Sequence, residues 1–161
     1  FKPDGRVTAG NSCPLNDGAA AVLVMSEERA GQLGVKPIAR IIASSVAGIA
    51  PEIMGVGPIE AVRKVLKQAG MSIGDVDQME LNEAFAAQVI PVCREVGIDP
   101  FDDRFNANGG AIALGHPYGM TGARIMTTLL NGLESKDGTI GLETMCVGGG
   151  QGMAMIVERP S

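Results

Sequence analysis

Residues 139–157, near the end of the chain, read TIGLETMCVGGGQGMAMIV. Two apolar runs, at 139–146 and 153–157, lie on either side of three consecutive glycines at 148–150. Apolar runs of this length bounded by glycines are typical of strands, and the glycines suit a tight turn between them. The stretch therefore predicts that the chain closes with two strands that are joined directly.

Three segments before this stretch carry apolar side chains at helical spacing, and a fourth helix is indicated by its start signal. The spaced segments cover residues 57–69, 83–96 and 119–133. Ser26, followed by two glutamates, is a good N-terminal cap for a short helix that we expect to stop near Gly34. These segments account for the helices that the sequence predicts.

Further apolar runs alternate with these helices and predict strands. They cover residues 19–25, 38–46 and 77–81, and the first of them, AAAVLVM, is expected to be a buried strand. Strands that alternate with helices are typical of a layered α/β domain. A length of 161 residues is usual for one domain, so we expect a single domain over residues 1–161.

The composition indicates a compact globular protein and argues against nucleic acid as a partner. Apolar residues make up 45% and charged residues 19% of the chain, and the formal net charge is −5. A negative chain with 3% aromatic residues and no tryptophan lacks the groups that bind phosphate backbones and stack on bases. The longest apolar run, at 19–25, is far shorter than the ~20 residues of a membrane span, so no membrane span is expected.

The cysteine pattern favours free thiols. Cys13, Cys93 and Cys146 are an odd number at long spacing, and no CxxC pair occurs. Neither a zinc site nor a disulfide framework is therefore expected, and we predict no bound metal. Because free thiols persist in reducing compartments, the pattern predicts a cytoplasmic protein.

The single histidine and one cysteine lie in glycine-rich surroundings that let backbone or ligand come close. His116 ends the sequence NANGGAIALGH at 106–116, and Cys146 precedes the glycines at 148–150. Each has an ordinary alternative: His116 as a hydrogen-bonded loop residue, and Cys146 as a buried apolar residue beside a turn. If they meet in space, the pair could carry out nucleophilic or acid–base chemistry, which their spacing alone does not decide.

Asn82 opens the motif NEAF at residues 82–85, directly after a predicted strand. One interpretation is structural, because asparagine is a fair N-terminal cap for the helix predicted over 83–96. The other is that its amide holds a substrate or a water at the carboxyl edge of the sheet, where α/β folds usually bind ligands. The sequence leaves both interpretations open.

Four motifs occur in the order in which one enzyme family carries them. They are GNSCPLNDGAAA at 10–21, NEAFA at 82–86, NGGAIALGHP at 108–117 followed by GAR at 122–124, and CVGGG at 146–150. Together they resemble the C-terminal half of the thiolases, which make or cleave 3-ketoacyl-CoA. The resemblance covers nearly the whole chain. It implies a thiolase C-terminal domain of βαβαβαββ type, with a mixed five-stranded sheet and helices on both faces.

The resemblance implies acyl transfer between CoA thioesters through a cysteine thioester, by thiolytic cleavage or Claisen condensation, in fatty acid or lipid metabolism. In the family pattern Cys146 is the acid/base that exchanges a proton with the α-carbon, a role for which we expect a lowered thiol pKa. His116 matches the residue that activates the nucleophilic cysteine and helps bind the thioester oxygen. Asn82 matches the residue that holds a water beside it, and the amide of Gly148 matches half of a second oxyanion hole.

The same resemblance implies coenzyme A as a co-substrate, with no cofactor, and assigns contacts to it. Cys13 lies in the loop that touches the pantetheine, where the family usually has a small Ser-Gly or Ser-Gln step and this chain has Cys-Pro. Met54 and Phe85 match positions that line the acyl and pantetheine channel. For both of them, burial in an ordinary core is the alternative.

No segment matches the motif of the nucleophilic cysteine, which thiolases carry in their N-terminal half. Three explanations fit this absence. We favour a piece cut from a longer enzyme. The others are one chain of a two-chain thiolase and a non-catalytic half that binds CoA or aids assembly. The resemblance implies an N-terminal thiolase half and further copies of the chain as partners. Because the nucleophile is missing, we expect the chain alone to be inactive. The helices predicted at 83–96 and 119–133 are apolar nearly all round, so we also expect the chain to self-associate, to aggregate or to remain bound to its N-terminal half.

Overall fold

The structure of the chain is a computed structural model that describes residues 2–160. Within that range no helix is both long enough and apolar enough to cross a membrane. The strands are β1 (Arg40–Gly48), β2 (Gln78–Leu81), β3 (Ile140–Val147) and β4 (Gln151–Glu158). The α-helices are α1 (Glu27–Leu33), α2 (Gly57–Ala69), α3 (Ala86–Val96), α4 (Ala111–Leu114) and α5 (Thr121–Ser135).

The sheet has four strands, so the predicted five-stranded sheet is wrong. Its order is β1-β4-β3-β2; β4 is antiparallel to both of its neighbours, whereas β2 and β3 are parallel. The segment predicted as a buried strand, residues 19–25, has no regular secondary structure and pairs with no strand in the described part of the chain. Its Leu23 is 82% exposed. A strand needs a neighbour for its backbone N–H and C=O groups, and residues 2–160 supply none here.

The outer edge of β2 carries a single bridge instead of a further strand. Met79 donates its backbone N–H to the carbonyl of Arg104 at 2.8 Å, and its own carbonyl accepts the N–H of Asn106 at 2.9 Å. These bonds form one parallel bridge between Met79 and Phe105. Asn106 then takes a left-handed conformation, with φ of 44°, which turns the chain away from β2 and ends the pairing.

Helices cover both faces of the sheet, as expected, and this confirms the α/β class. On one face Val62 of α2 and Val92 of α3 belong to a core that includes Leu142 and Ile156 from the sheet. On the other face α5 packs against the sheet through its own apolar stripe, which includes Leu129. The sheet is therefore enclosed between two helical layers, as hydrophobic burial requires of a layered domain.

The ends of α1 and α2 follow their sequence signals. The hydroxyl of Ser26 accepts the backbone N–H of Arg29 at 3.2 Å and so caps the start of α1. Gly34 and Gly70 end α1 and α2 in the left-handed conformation that glycine adopts without strain. Pro58 lies in the first turn of α2, where its missing N–H is not needed.

The predicted start of α3 at residue 83 is wrong. Phe85 takes the N-terminal cap position, and the helix begins at Ala86. The backbone N–H of Ala84 donates back to the carbonyl of Asn82 at 3.1 Å, which closes a tight turn before the helix. Asn82 consequently lies outside the helix and does not cap it.

The start of α2 touches β4 backbone to backbone, through two glycines. Gly57 begins α2, and Gly152 lies in β4 opposite Cys146 of β3. A β-carbon on Gly57 would lie 2.7 Å from the carbonyl oxygen of Gln151, and one on Gly152 would overlap the carbonyl group of Gly57. The contact leaves no room for a side chain at either glycine, so the helix start lies directly on the strand.

The exposed apolar surface differs from the one that the sequence predicted. The outer side of α5 is polar, with Thr127, Asn131 and Glu134 exposed, so the expectation that this helix is apolar nearly all round is wrong. Eight of the sixteen large apolar side chains that are exposed among residues 2–160 lie in or before the start of β1. They are Leu15, Val22, Leu23, Val24, Leu33, Val35, Ile38 and Ile41.

Candidate active site

His116 lies between α4 and α5 and is held by polar groups on several sides. It is 8% exposed. Its Nδ1 lies 2.7 Å from the hydroxyl of Thr121, the first residue of α5, and its Nε2 lies 3.4 Å from Nδ2 of Asn82. Its backbone N–H donates to Oδ1 of Asn16 at 3.0 Å. The side chain of Asn16 packs against Gly115, whose φ of 103° and missing side chain make the contact possible.

These contacts define the proton distribution on the imidazole ring of His116. The Nδ2 group of Asn82 is a donor, so Nε2 of His116 is assigned as the acceptor and Nδ1 as the nitrogen that donates to Thr121. Burial lowers the pKa of His116 below its usual 6.5, and the cation of Arg124 lowers it further. The ring is therefore neutral near neutral pH, with its basic nitrogen turned toward Asn82.

Asn82 is fully buried, and its side chain caps no helix, which removes the structural interpretation of this residue. Its backbone N–H donates to the carbonyl of Thr144 at 3.0 Å, which places it beside β3 just past the end of β2. Its Nδ2 faces His116, whereas its Oδ1 has no hydrogen-bond partner among residues 2–160. Buried polar atoms without partners are rare, and they are concentrated where a protein binds or reacts.

Two residues that the sequence analysis did not assign support the loop before His116. Asn106 accepts the backbone N–H of Leu81 at 2.8 Å and donates to the carbonyl of Leu81 at 3.0 Å and to the carboxylate of Glu83 at 2.8 Å. Glu83 also accepts the N–H of Ile112 at 3.2 Å, at the start of α4. The sequence signal was present, since Asn106 begins the glycine-rich segment and Glu83 belongs to the NEAF motif.

Replacing Asn106 by alanine is expected to destabilise the chain by about 2 kcal/mol, because the buried N–H and C=O of Leu81 would lose their partner. Alanine would also have to adopt a φ of 44°, which disfavours residues with a β-carbon. The measurement is urea unfolding. Asn108→Ala, at an exposed position in the same loop, is the control and should change stability by less than about 0.5 kcal/mol. Equal stabilities of the two variants would contradict the assignment.

Cys146 shares the edge of the sheet at which Asn82 and His116 lie. β2 and β3 are parallel, with Leu81 opposite Thr144, and Cys146 follows Thr144 by two residues on the same face of β3. A step of two residues along a strand spans about 7 Å. The positions of these strands therefore support the expectation that His116 and Cys146 meet at one edge of the sheet.

The thiol of Cys146 is buried, and burial raises its pKa above the usual 9.0; the backbone hydrogen bond at Cys146 opposes this effect, and the neighbouring Cys13 adds to it. The expectation of a lowered pKa is therefore wrong for this chain. The resting group is a protonated thiol, which suits a proton donor. Cys93 lies fully buried in the core, where burial raises its pKa to about 11, so it is a structural residue.

Gly148 begins the turn that joins β3 and β4. Its side-chain position faces open space, and its carbonyl accepts a hydrogen bond from Nε2 of Gln151 at 3.3 Å. The next two residues, Gly149 and Gly150, have φ of 85° and 86°, so the turn requires glycine there. Gly148 itself lies two residues beyond Cys146, at the same edge of the sheet.

Of the predicted CoA contacts, Cys13 and Phe85 lie side by side. Ser12 forms an antiparallel bridge with Phe85, and the backbone N–H of Cys13 donates to the carbonyl of Ala84 at 3.0 Å. Phe85 is 38% exposed, which excludes ordinary core burial for it. Met54 is half-buried in the 3₁₀ turn before α2, and that turn packs against α3. The structure thus leaves a role in ligand contact open to all three side chains.

Comparison with known proteins identifies the family. A family model described as "Thiolase, C-terminal domain" matches residues 35–159, which is most of the chain. The chain belongs to the thiolase family. A second model, described as "Thiolase, N-terminal domain", matches residues 1–28, which include Asn16 and the exposed segment at 19–25. The resemblance to the thiolases is therefore confirmed, and the motif at 10–21, which we expected to open the C-terminal half, lies within the match to the N-terminal model.

Several thiolases are similar to this chain over nearly all of it. A 3-ketoacyl-CoA thiolase of Marinomonas sp. (strain MWYL1) is 57% identical over 156 residues, or 96% of this chain and 40% of that protein. An acetyl-CoA acetyltransferase of Paracoccus denitrificans is 55% identical over 160 residues, or 99% of this chain and 40% of that protein. The crystal structure of the Bacillus anthracis acetyl-CoA acetyltransferase has a TM-score of 0.95 at 47% identity, over 99% of this chain and 40% of that one. The chain thus spans about two fifths of the length of these thiolases.

Proposed function

We propose that this chain forms the C-terminal half of a thiolase that transfers acyl groups between CoA thioesters. The observation that carries the proposal is the buried pair of His116 and Asn82, 3.4 Å apart, at the sheet edge that also holds Cys146. The relatives named 3-ketoacyl-CoA thiolase and acetyl-CoA acetyltransferase support this reaction class. Cleavage and condensation are the two directions of one reaction, and the proposal covers both.

In this proposal His116 accepts the proton of a nucleophilic cysteine. Its Nε2 is the unprotonated ring nitrogen, and its lowered pKa keeps that nitrogen free near neutral pH. After it has taken the proton, the same nitrogen is a donor that can hold a thioester oxygen as negative charge develops there. The unpartnered Oδ1 of Asn82 is available to fix a water in the same oxyanion hole.

Cys146 and Gly148 serve the other half of the reaction in the proposed mechanism. When the bond between the α- and β-carbons of a 3-ketoacyl-CoA breaks, its electron pair stays on the α-carbon as an enolate. The protonated thiol of Cys146 gives its proton to that carbon and becomes a thiolate; in the condensation direction the thiolate removes the α-proton. The backbone N–H of Gly148 stabilises the enolate oxygen as half of the second oxyanion hole.

Coenzyme A is proposed as a co-substrate, with no resident cofactor. Cys13 and Phe85 lie next to each other beside the NEAF turn, and both are accessible enough to contact a pantetheine chain. Met54 is proposed as a further wall of the same channel. The Cys-Pro step at residues 13 and 14, which departs from the usual family pattern, would then bear directly on the shape of this channel.

We further propose that an N-terminal thiolase half covers this chain and supplies the nucleophilic cysteine, and that the complete protein is a homo-oligomer. The support is the segment at 19–25, whose side chains Val22, Leu23 and Val24 are exposed and whose backbone pairs with no strand among the described residues. The same segment falls within the match to the N-terminal family model. An exposed apolar segment with unpaired backbone can add to the edge of a neighbouring sheet.

The proposal predicts that the chain, together with its N-terminal half, cleaves acetoacetyl-CoA when CoA is present. The measurement is the loss of enolate absorbance. His116→Ala and Cys146→Ala are each expected to lower kcat by about a hundredfold or more, because each removes a proton-transfer group. Gln68→Ala, at an exposed position on α2, is the matched control and should keep the parent rate. Full activity in both site variants would refute these roles. A protein that binds CoA without turning over acetoacetyl-CoA would favour the non-catalytic alternative.

A further inference from the structure

The loop that leads to α4 contains an exposed asparagine followed directly by a glycine, Asn108 and Gly109. Asn108 lies in a turn that the backbone N–H of Gly109 closes by donating to the carbonyl of Asn106 at 2.9 Å. Gly109 has a φ of 94° and no β-carbon, so no side chain of its own shields its backbone nitrogen from Asn108. The carboxamide carbon of Asn108 and this nitrogen are neighbours in the chain, and both residues are accessible to solvent.

We propose that Asn108 is a modification site, at which asparagine converts spontaneously into aspartate and isoaspartate. The backbone nitrogen of Gly109 attacks Cγ of Asn108 and closes a succinimide ring. The bond from Cγ to Nδ2 breaks, and ammonia leaves with the proton of the Gly109 N–H. A water molecule from the solvent then opens the ring. Cleavage of the new bond between nitrogen and Cγ gives aspartate, whereas cleavage of the bond between nitrogen and the backbone carbonyl carbon gives isoaspartate, in which the backbone continues through the former side chain.

The chain has a second Asn-Gly step, Asn131 and Gly132, which the fold protects. Asn131 is also exposed, but its Nδ2 donates to the carbonyl of Thr127 at 2.7 Å. Gly132 is buried within α5, where a β-carbon would overlap the side-chain amide of Gln78. Ring closure at Asn131 requires α5 to open, and Leu129 anchors this helix in the core. The two steps have the same dipeptide sequence and differ in the structure that surrounds them.

The turn that carries Asn108 lies between two fixed points of the loop before α4. On one side, Asn106 is hydrogen-bonded to the backbone N–H and C=O of Leu81. On the other, Gly110 lies so close to the carboxylate of Glu83 that a β-carbon there would overlap it. Isoaspartate adds one carbon atom to the backbone between these points, and both products add a negative charge to a loop that already packs against Glu83. We therefore expect the modification to strain the loop that supports the histidine.

The test is peptide mapping by mass spectrometry after storage of the folded chain at mildly alkaline pH. Trypsin cleaves after Arg104, Arg124 and Lys136, so the two Asn-Gly steps fall on separate peptides, 105–124 and 125–136. The mass gain of an acid over an amide is expected to be at least about tenfold faster in peptide 105–124, because its step needs no helix opening. Fragmentation should place the gain at Asn108. A gain located at Asn106, or a rate in 105–124 no higher than that in 125–136, overturns the proposal.

Two controls separate the effect of the fold from the chemistry of the dipeptide. In guanidinium chloride, where α5 is lost, the two peptides should gain mass at similar rates. The same difference in rate with and without denaturant would show that the fold does not select Asn108, and it would overturn the proposal. In the folded Asn108→Ala variant, peptide 105–124 should keep its mass during storage. A gain in this variant at the parent rate would also overturn the proposal.

Urea unfolding tests the strain that the modification introduces. Storage of the parent chain until peptide 105–124 is converted is expected to lower its unfolding midpoint. Asn108→Asp, which adds the charge without the extra backbone carbon, should lower the midpoint less, and stored Asn108→Ala should unfold like the same variant when fresh. A converted parent chain with the midpoint of the fresh chain would overturn the effect that we assign to isoaspartate. None of these readouts involves turnover, so their outcome is independent of the test of thiolase activity.

Discussion

Gly152→Ala is expected to lower the free energy of unfolding by more than about 3 kcal/mol, or to prevent folding altogether. The added methyl group would overlap the carbonyl group of Gly57 at the start of α2. Backbone cannot rotate away as a flexible side chain can, so either α2 must move from the sheet or β4 must shift within it. Both of these moves would open the core between α2 and the sheet, where Val62 and Ile156 are fully buried.

The matched control is Gly48→Ala in the neighbouring strand. Gly48 pairs with Gln151, next to Gly152, and its side-chain position has no atom within 4 Å. This variant should stay within about 1 kcal/mol of the parent, because strand positions with open space accept alanine. Urea unfolding of the two variants under the same conditions is the measurement. Comparable midpoints for Gly152→Ala and Gly48→Ala would mean that α2 does not begin directly on β4.

The free energy of unfolding is expected to fall by about 4 kcal/mol as the pH rises from about 5 to about 8. Burial raises the pKa of Glu80 from 4.5 to about 7 and that of Glu143 from 4.5 to about 8, and their neighbouring charges contribute to the shifts. Between the unfolded and the folded pKa, the folded chain binds more protons than the unfolded chain. Stability is therefore highest at low pH within this window and is lost as the carboxyl groups ionise. His116, whose pKa is lowered, opposes the trend below 6.5, with a smaller effect.

Glu143→Gln tests whether ionisation of the buried carboxyl group causes the loss of stability. Glutamine has the shape of the protonated side chain and does not ionise. The variant is expected to be more stable than the parent by about 2 kcal/mol near the upper end of the window and nearly equal to it at the lower end. Glu134→Gln, at an exposed position of α5, is the control and should follow the parent at each pH. A parent chain whose stability rises through the window would show that the two glutamates are ionised in the fold.

Local signals predicted most elements of this fold because those signals act within a few residues. The capping hydroxyl of Ser26 and the glycines at 34 and 70 fix helix ends through bonds to their own helix. The segment at 19–25 has the composition of a buried strand, yet pairing depends on a partner strand and not on composition. The start of α3 was misplaced for a similar reason, since the turn at Asn82 competes with helix formation over the same residues.

The site was predictable in its residue types more than in its contacts. Glycine density around His116 and Cys146 indicated where backbone approaches a ligand, and both residues lie at the carboxyl edge of β2 and β3 or beside it. The support given by Asn106 depends on the conformation of a loop, which no periodic pattern records. The raised pKa of Cys146 follows from burial, and burial is a property of the assembled fold.

The hydrogen bond from His116 to Asn16 joins residues that are 100 positions apart in the chain. Closing so long a loop costs configurational entropy that grows with the logarithm of its length. Favourable contacts offset this cost only when the intervening core is in place. We therefore expect the histidine loop to form late in folding, after α2, α3 and the sheet. The bond ties the order of the imidazole to the order of a segment near the opposite end of the sequence, and we expect amide exchange at His116 to report on both.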